Sequence, residues 1–293
     1  MTFYASTCQL AGRGVLRLAG AETRAFLQGL VTCDMDKVTP DTAAYGALLS
    51  PQGKILFDFF VVENGGGFLV DAPLALTADL ARRLGFYRLR AKIVIEIVSG
   101  GLSLDTQSDN DMTVAASWGD DPALPGAMTS FTDPRAAALG RRIIAPRRVT
   151  QALPGYESAY EARRIAAGVP QGGADFAYGE TLPHEANLDR LHGVDFAKGC
   201  FIGQEVVARV EHRGTARKRV ARVTFKGPLL EAGVKVMAGE TEIGVIGSSY
   251  FGHGLAMLRL DKAAEALAAG RTLMAGGVAL TLVDDAGKPG GPA

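Results

Sequence analysis

Residues 198–205 read KGCFIGQE, from Lys198 to Glu205. The two glycines allow tight backbone turns at 199 and 203. Downstream, IGQEVVARVEHR places apolar residues at 202, 206 and 210, the spacing of one helical face. A helix beginning near 202 puts Cys200 at its N-terminal edge. Partial positive charge there, with Lys198 two residues away, favours a thiolate. Such a group can serve as a nucleophile, a redox handle or a soft-metal ligand. The competing reading is a small buried hydrophobe at a domain junction. The residues alone leave both open.

The rest of the chain bounds the choice. It has 293 residues, enough for two or three modules. Hydrophobic residues are 47% and charged ones 21%, which fits a folded globular protein and excludes a disordered one. Lys+Arg and Asp+Glu are both 31, so no net charge argues for bulk binding to nucleic acid or a membrane. The 3 cysteines, Cys8, Cys33 and Cys200, are odd in number and form no C-x-x-C pair. They suit neither a disulfide framework nor a Cys-rich metal site, and point to a reducing compartment. The start, MTFYASTCQLAGRG, shows no secretory pattern, and no apolar run approaches ~20 residues. The expectation is a cytoplasmic protein with no membrane contact. The histidines at 184, 192, 212 and 253 show no H-x-x-x-H pairing, so structural roles and no metal site are expected.

Periodicity gives an α+β front half. GVLRLAG (14–20) reads as a strand running into the helix AETRAFLQGL. AYGALLS and ILFDFFVVE are strands joined by the turn PQGK, and NGGG turns into FLVDA. PLALTADLARRLGFY reads as a helix with Pro73 at its first position, and AKIVIEIVS as a strand. Residues 100–130 are turn-rich. PRAAALG reads as a short helix, RRIIAP as an edge strand and YESAYEARRIAAG as a helix ended by Gly168. The following VPQGGADFAYGETLPHEANL has no clear period, and a loop of that length is often functional. Beyond 218, short strands with Gly-rich turns and one helix, DKAAEALAAG, predict a separate small barrel or sandwich.

Arg209, Arg213, Arg217, Lys218 and Arg219 face only Glu211, a local excess of four charges. This reads as an anion site or as a solvated helix face. No aromatics interleave, so a small anionic molecule is favoured over nucleic acid.

KGCFIGQE resembles the K-G-C-[FY]-x-G-Q-E signature of the YgfZ-type folate-binding proteins, relatives of the glycine-cleavage T-protein (GcvT, an aminomethyltransferase) associated with iron–sulfur cluster assembly and repair. FLQGLVTCDM, LLSPQGKILFDF, YRLRAKIVI, DPRAAALGRR, YEARRIAAGVP and LPHEANLDRLHGVDFAKGCFIGQEVVAR are similar in the same order, over roughly residues 14–220. The resemblance implies a three-domain ring with ferredoxin-like α+β domains and a C-terminal β-barrel. Residues 1–45 and 150–206 would form the folate-binding domain, 46–149 an inserted domain and 207–293 the barrel.

It also implies tetrahydrofolate as cofactor and iron–sulfur client enzymes or assembly proteins as partners, including enzymes of tRNA modification. Cys200 would be the essential group, assisted by Lys198. Tyr160 stands where a folate-contacting aromatic lies in relatives, and Arg164 where the T-protein places an arginine; Glu185, Asn187, Gln204 and Glu205 are assigned to the same folate site. Three departures point away from aminomethyl transfer. Phe57 replaces the first acid of the T-protein's Asp-Asp pair, leaving Asp58. Ala166 stands where a pterin-anchoring glutamate is usual. Cys200 stands where T-proteins typically have an acid. A tetrahydrofolate-dependent one-carbon transferase and a partner-binding protein with a vestigial pocket are the alternatives.

Overall fold

The computed structural model describes residues 6–99, 111–119, 124–214 and 216–283. They group into two compact units. The first comprises Met1–Leu49, Leu56–Tyr160 and His192–Ile202; the second comprises Ser50–Ile55, Glu161–Leu191 and Gly203–Ala293.

Two antiparallel sheets build the first unit. The five-stranded sheet runs, in spatial order, Ala44–Leu49, Ile55–Asn64, Gly67–Pro73, Arg13–Ala19 and Val94–Ile97. ILFDFFVV is an almost unbroken apolar run because its strand is covered on both faces. Phe57, Phe59 and Val61 point into a core with Leu16, Leu18, Phe68 and Val70, where the Thr77–Arg88 helix adds Leu80 and Leu84. The opposite phase, Asp58 and Phe60 with Asp71, faces the four-stranded sheet.

That second sheet runs Thr7–Gln9, Met112–Ser117, Arg141–Pro146 and Thr129–Thr132. Between the sheets lies a buried polar layer. Arg142 donates to Asp71 at 2.8 Å and its guanidinium stacks 4.1 Å from the Phe60 ring centre. Arg13 pairs with Asp71 at 2.6 Å, and Arg135 with Asp133 at 2.8 Å. Asp71 and Asp133 are thereby each matched by a guanidinium, which burial requires.

Several expectations are corrected. Pro73 ends a strand, and a 3₁₀ turn, Leu74–Leu76, precedes the helix at Thr77. Residues 141–146 form an interior strand, paired on both sides with Met112–Ser117 and Thr129–Thr132, which explains its continuous burial. Those two neighbours are strands within or beside the stretch read as turn-rich; residues 100–110 and 120–123 lie outside the described residues. The predicted helix at 134–140 is only a 3₁₀ turn, Ala137–Leu139.

The second unit carries a closed barrel in the order Lys218–Phe225, His253–Arg259, Thr241–Tyr250, Lys235–Ala238, Leu273–Ala275 and Val278–Leu282, with the last strand pairing the first. Val223, Val236, Ile246, Leu258 and Leu273 fill it, and the Leu260–Ala268 helix adds Ala263 and Ala266 to the same core. These strands fall inside the expected 207–293 module. Between the Glu157–Ala166 and Gln204–Arg213 helices the chain has turns and no further helix or strand, as the missing periodicity predicted.

Candidate functional site

The loop leading to Cys200 is fastened to the segment 28–37. Asp195 N–H donates to the Thr32 carbonyl at 2.9 Å, and the Thr32 hydroxyl donates to the Gly193 carbonyl at 2.5 Å. Asp195 Oδ1 accepts from the N–H groups of Ala197 and Lys198 at 2.9 and 3.1 Å, an Asx-type turn. Its other oxygen takes the Lys37 ammonium at 2.5 Å. Burial works to raise the Asp195 carboxyl, but these hydrogen bonds outweigh it and hold the group below its ordinary value.

The Lys198 ammonium donates to three carbonyl oxygens, Gln28 at 2.9 Å, Val31 at 2.6 Å and Cys33 at 2.7 Å. Those carbonyls lie at and just beyond the end of the Thr23–Gln28 helix, where a cation is favoured. Burial lowers the Lys198 pKa, while Cys33, Asp34 and Asp195 pull it back up. All three N–H donors are therefore directed at backbone carbonyls of the segment 28–33.

The three cysteines separate cleanly: Cys8 and Cys33 are buried and Cys200 is exposed. Burial pushes the Cys33 thiol up to about 12 against the pull of Lys198, so it is a neutral thiol at neutral pH. Its sulfur packs on Gly46, where an added Cβ would approach it to 2.6 Å. The helix expected near 202 begins at Gln204, four residues past Cys200 and in the other compact unit, after Gly203 at φ 80°. Beside the 194–197 loop is a cavity of about 530 Å³, lined in part by Cys33, Asp34, Lys37, Tyr45 and His192.

The residues assigned to folate are largely engaged in structure. Tyr160 is buried, and its hydroxyl accepts from Arg135 at 3.0 Å and Arg142 at 3.1 Å. Arg164 is buried in the second unit, and its five N–H donors reach Glu161, Asp175, Val169 O and Ser248. Asn187 donates to Val220 O and accepts from Arg219, and Glu185 accepts from Leu182 N–H. Gln204 is half-buried and Glu205 exposed in the first turn of the Gln204–Arg213 helix. Within the basic stretch, Arg219 is held bidentately by Asp189 at 2.9 and 2.7 Å.

Sequence reasoning missed Thr32, Asp195 and Lys37 as parts of this site. The D-x-x-K spacing of Asp195 and Lys198 was the one available signal. His184, Asp189 and Glu211 bring metal-type donor atoms within 4.8 Å of one another. His184 is paired with Glu211 at 2.9 Å, and Arg219 already fills Asp189.

Residues 217–286 match the family described as CAF17, C-terminal beta-barrel domain. Over the chain, relatives named iron–sulfur cluster assembly factor IBA57, mitochondrial, are 31% identical in Mus musculus and 30% in Homo sapiens. Both alignments take in 87% of this chain, and they cover 78% and 77% of those proteins. A Chaetomium globosum homolog of the same name is 32% identical over 80% of this chain, which spans 60% of that relative's length. In solved structures, the aminomethyltransferase T of the Bartonella henselae glycine cleavage system superposes with a TM-score of 0.73 at 16% identity, covering 96% of this chain and 86% of that one. The chain thus has the expected GcvT-like fold, with mixed α and β content and a closed six-stranded barrel. The expectation of a cytoplasmic protein is overturned, because these relatives are named as mitochondrial.

Proposed function

Because the chain belongs to the iron–sulfur cluster assembly factor IBA57 family, we propose that it supports the assembly or repair of iron–sulfur proteins, with Cys200 as working group and tetrahydrofolate as small-molecule partner. The observation that carries the reading is the exposure of Cys200 on a loop held by side-chain anchors, while the other two cysteines are buried. An exposed thiol reaches a partner; a buried one does not. The clients are iron–sulfur enzymes, those modifying tRNA among them. Folate rests on the sequence signature. The residues that the resemblance assigns to it are Tyr160, Arg164, Glu185, Asn187, Gln204 and Glu205. The three-domain division is part of the same proposal.

The test is rescue of iron–sulfur enzyme activity in cells lacking their own factor, beside calorimetry with tetrahydrofolate. Wild type should rescue and Cys200→Ser should not, with equal folding by circular dichroism. Full rescue by the serine variant removes Cys200 from the proposal, and no heat of binding removes folate.

A further inference from the structure

Cys200 and Gly199 are exposed, yet both neighbours, Lys198 and Phe201, are only 8% and 7% exposed. The chain therefore rises to the surface for two residues between two buried anchors. The first anchor is the Lys198 ammonium, whose three donors match three carbonyl oxygens at 2.6 to 2.9 Å. The second is the Phe201 ring, which lies 5.5 Å from that same ammonium. Upstream, the Asp195 carboxylate fixes the backbone N–H groups of residues 197 and 198.

We infer that Lys198 is a positioning residue, whose caged ammonium holds the backbone on either side of Cys200 and so sets where the thiol stands. This deepens the proposed role of Cys200 and rests on it. The cage is specific for a lysine. A methionine would leave three carbonyls without a donor, and an arginine's planar fork cannot direct donors at three oxygens grouped round one point. Holding a working group through backbone anchored by its neighbours is how a site keeps a fixed geometry on a surface loop.

The experiment places a nitroxide label on Cys200, the exposed thiol, and records the room-temperature spectrum of the full chain. Wild type should give a broad, motionally restricted line. Lys198→Met and Lys198→Arg should both narrow it, at a temperature where circular dichroism shows them folded. Asp195→Ala, which removes the turn cap and the Lys37 ion pair but leaves the ammonium cage, should narrow it less and serves if the Lys198 variants do not fold. The alkylation rate of unlabelled Cys200 at neutral pH should change less than about twofold in Lys198→Met, because the ammonium acts on carbonyls. Unchanged line shapes in every folded variant would overturn the inference. So would a tenfold loss of alkylation rate with an unchanged line, since Lys198 would then act by charge. Full rescue by Cys200→Ser in cells would instead defeat the role of Cys200 and leave the line-shape result standing.

Discussion

Arg164 Nη1 donates to Asp175 Oδ2 at 2.8 Å, with side chains only 2% and 1% exposed. Asp175 Oδ1 in turn accepts from Ser248 N–H at 2.7 Å, and Arg164 Nη2 donates to the Ser248 hydroxyl at 2.8 Å. The pair thus ties the end of the Glu157–Ala166 helix to a barrel strand within one unit. Removing one partner strands the other as a buried charge. Arg164→Met should cost ~3–5 kcal/mol, read by urea unfolding. A loss below ~1 kcal/mol would mean that the arginine is free to serve a ligand.

Of the 3 cysteines, one should react in the native state. A thiol reagent at pH 7.5 should modify Cys200 within minutes and Cys8 and Cys33 only after unfolding, counted by mass spectrometry. The reason is burial, which for Cys33 also keeps the thiol protonated by pushing it up to about 12. Two rapid equivalents would contradict the placement of Cys33.

Gly203 sits at φ 80°, and a Cβ there would come within 2.6 Å of the Ser50 carbonyl oxygen. Strain and backbone collision act together, so Gly203→Ala should lose ~1–3 kcal/mol in denaturant midpoint analysis. Gly199→Ala, with nothing within 4 Å of its added Cβ, is the control and should be near neutral.

Asp133 is buried beside Arg135 and Arg142. Burial works to raise its carboxyl, but the two guanidiniums outweigh it and lower the pKa below the ordinary value. Its stabilising effect is therefore complete above about pH 4, the unfolded range, and is lost as pH falls through that value towards the folded one. Melting temperature should hold between pH 7 and 5 and drop below about 4. Asp133→Asn should start lower at pH 7 and show a shallower acid slope; an unchanged slope would assign the acid sensitivity elsewhere.

Glycine-cleavage activity should be absent. Phe57 is part of the apolar core, and Asp58 is buried with its Oδ2 accepting from the Tyr45 hydroxyl at 2.9 Å. The missing acid corresponds to a proton-handling role worth about a hundredfold or more in rate. Robust turnover of an aminomethylated carrier protein with tetrahydrofolate would restore the transferase reading.

The sequence by itself determined what depends on local pattern and on short spacing. Alternation with glycine turns located the barrel strands. Lost periodicity located the long connection between the helices ending at Ala166 and starting at Gln204. The signature around Cys200 identified the lineage. Tertiary structure alone decided which groups meet. The partners of Lys198 are backbone carbonyls 165 to 170 residues upstream, and a carbonyl carries no residue identity that a sequence could display. Charge at position 198 therefore read as an activator of the nearest thiol, and the carbonyls that its donors reach could not be read. Arg164 and Tyr160 read as ligand groups because the resemblance sets them at folate-site positions, and both types suit a folate. Burial, which depends on the packing of distant strands, put them among internal partners. Strand 141–146 read as an edge for the same reason: its neighbours, 112–117 and 129–132, join it through pairings that local pattern does not record.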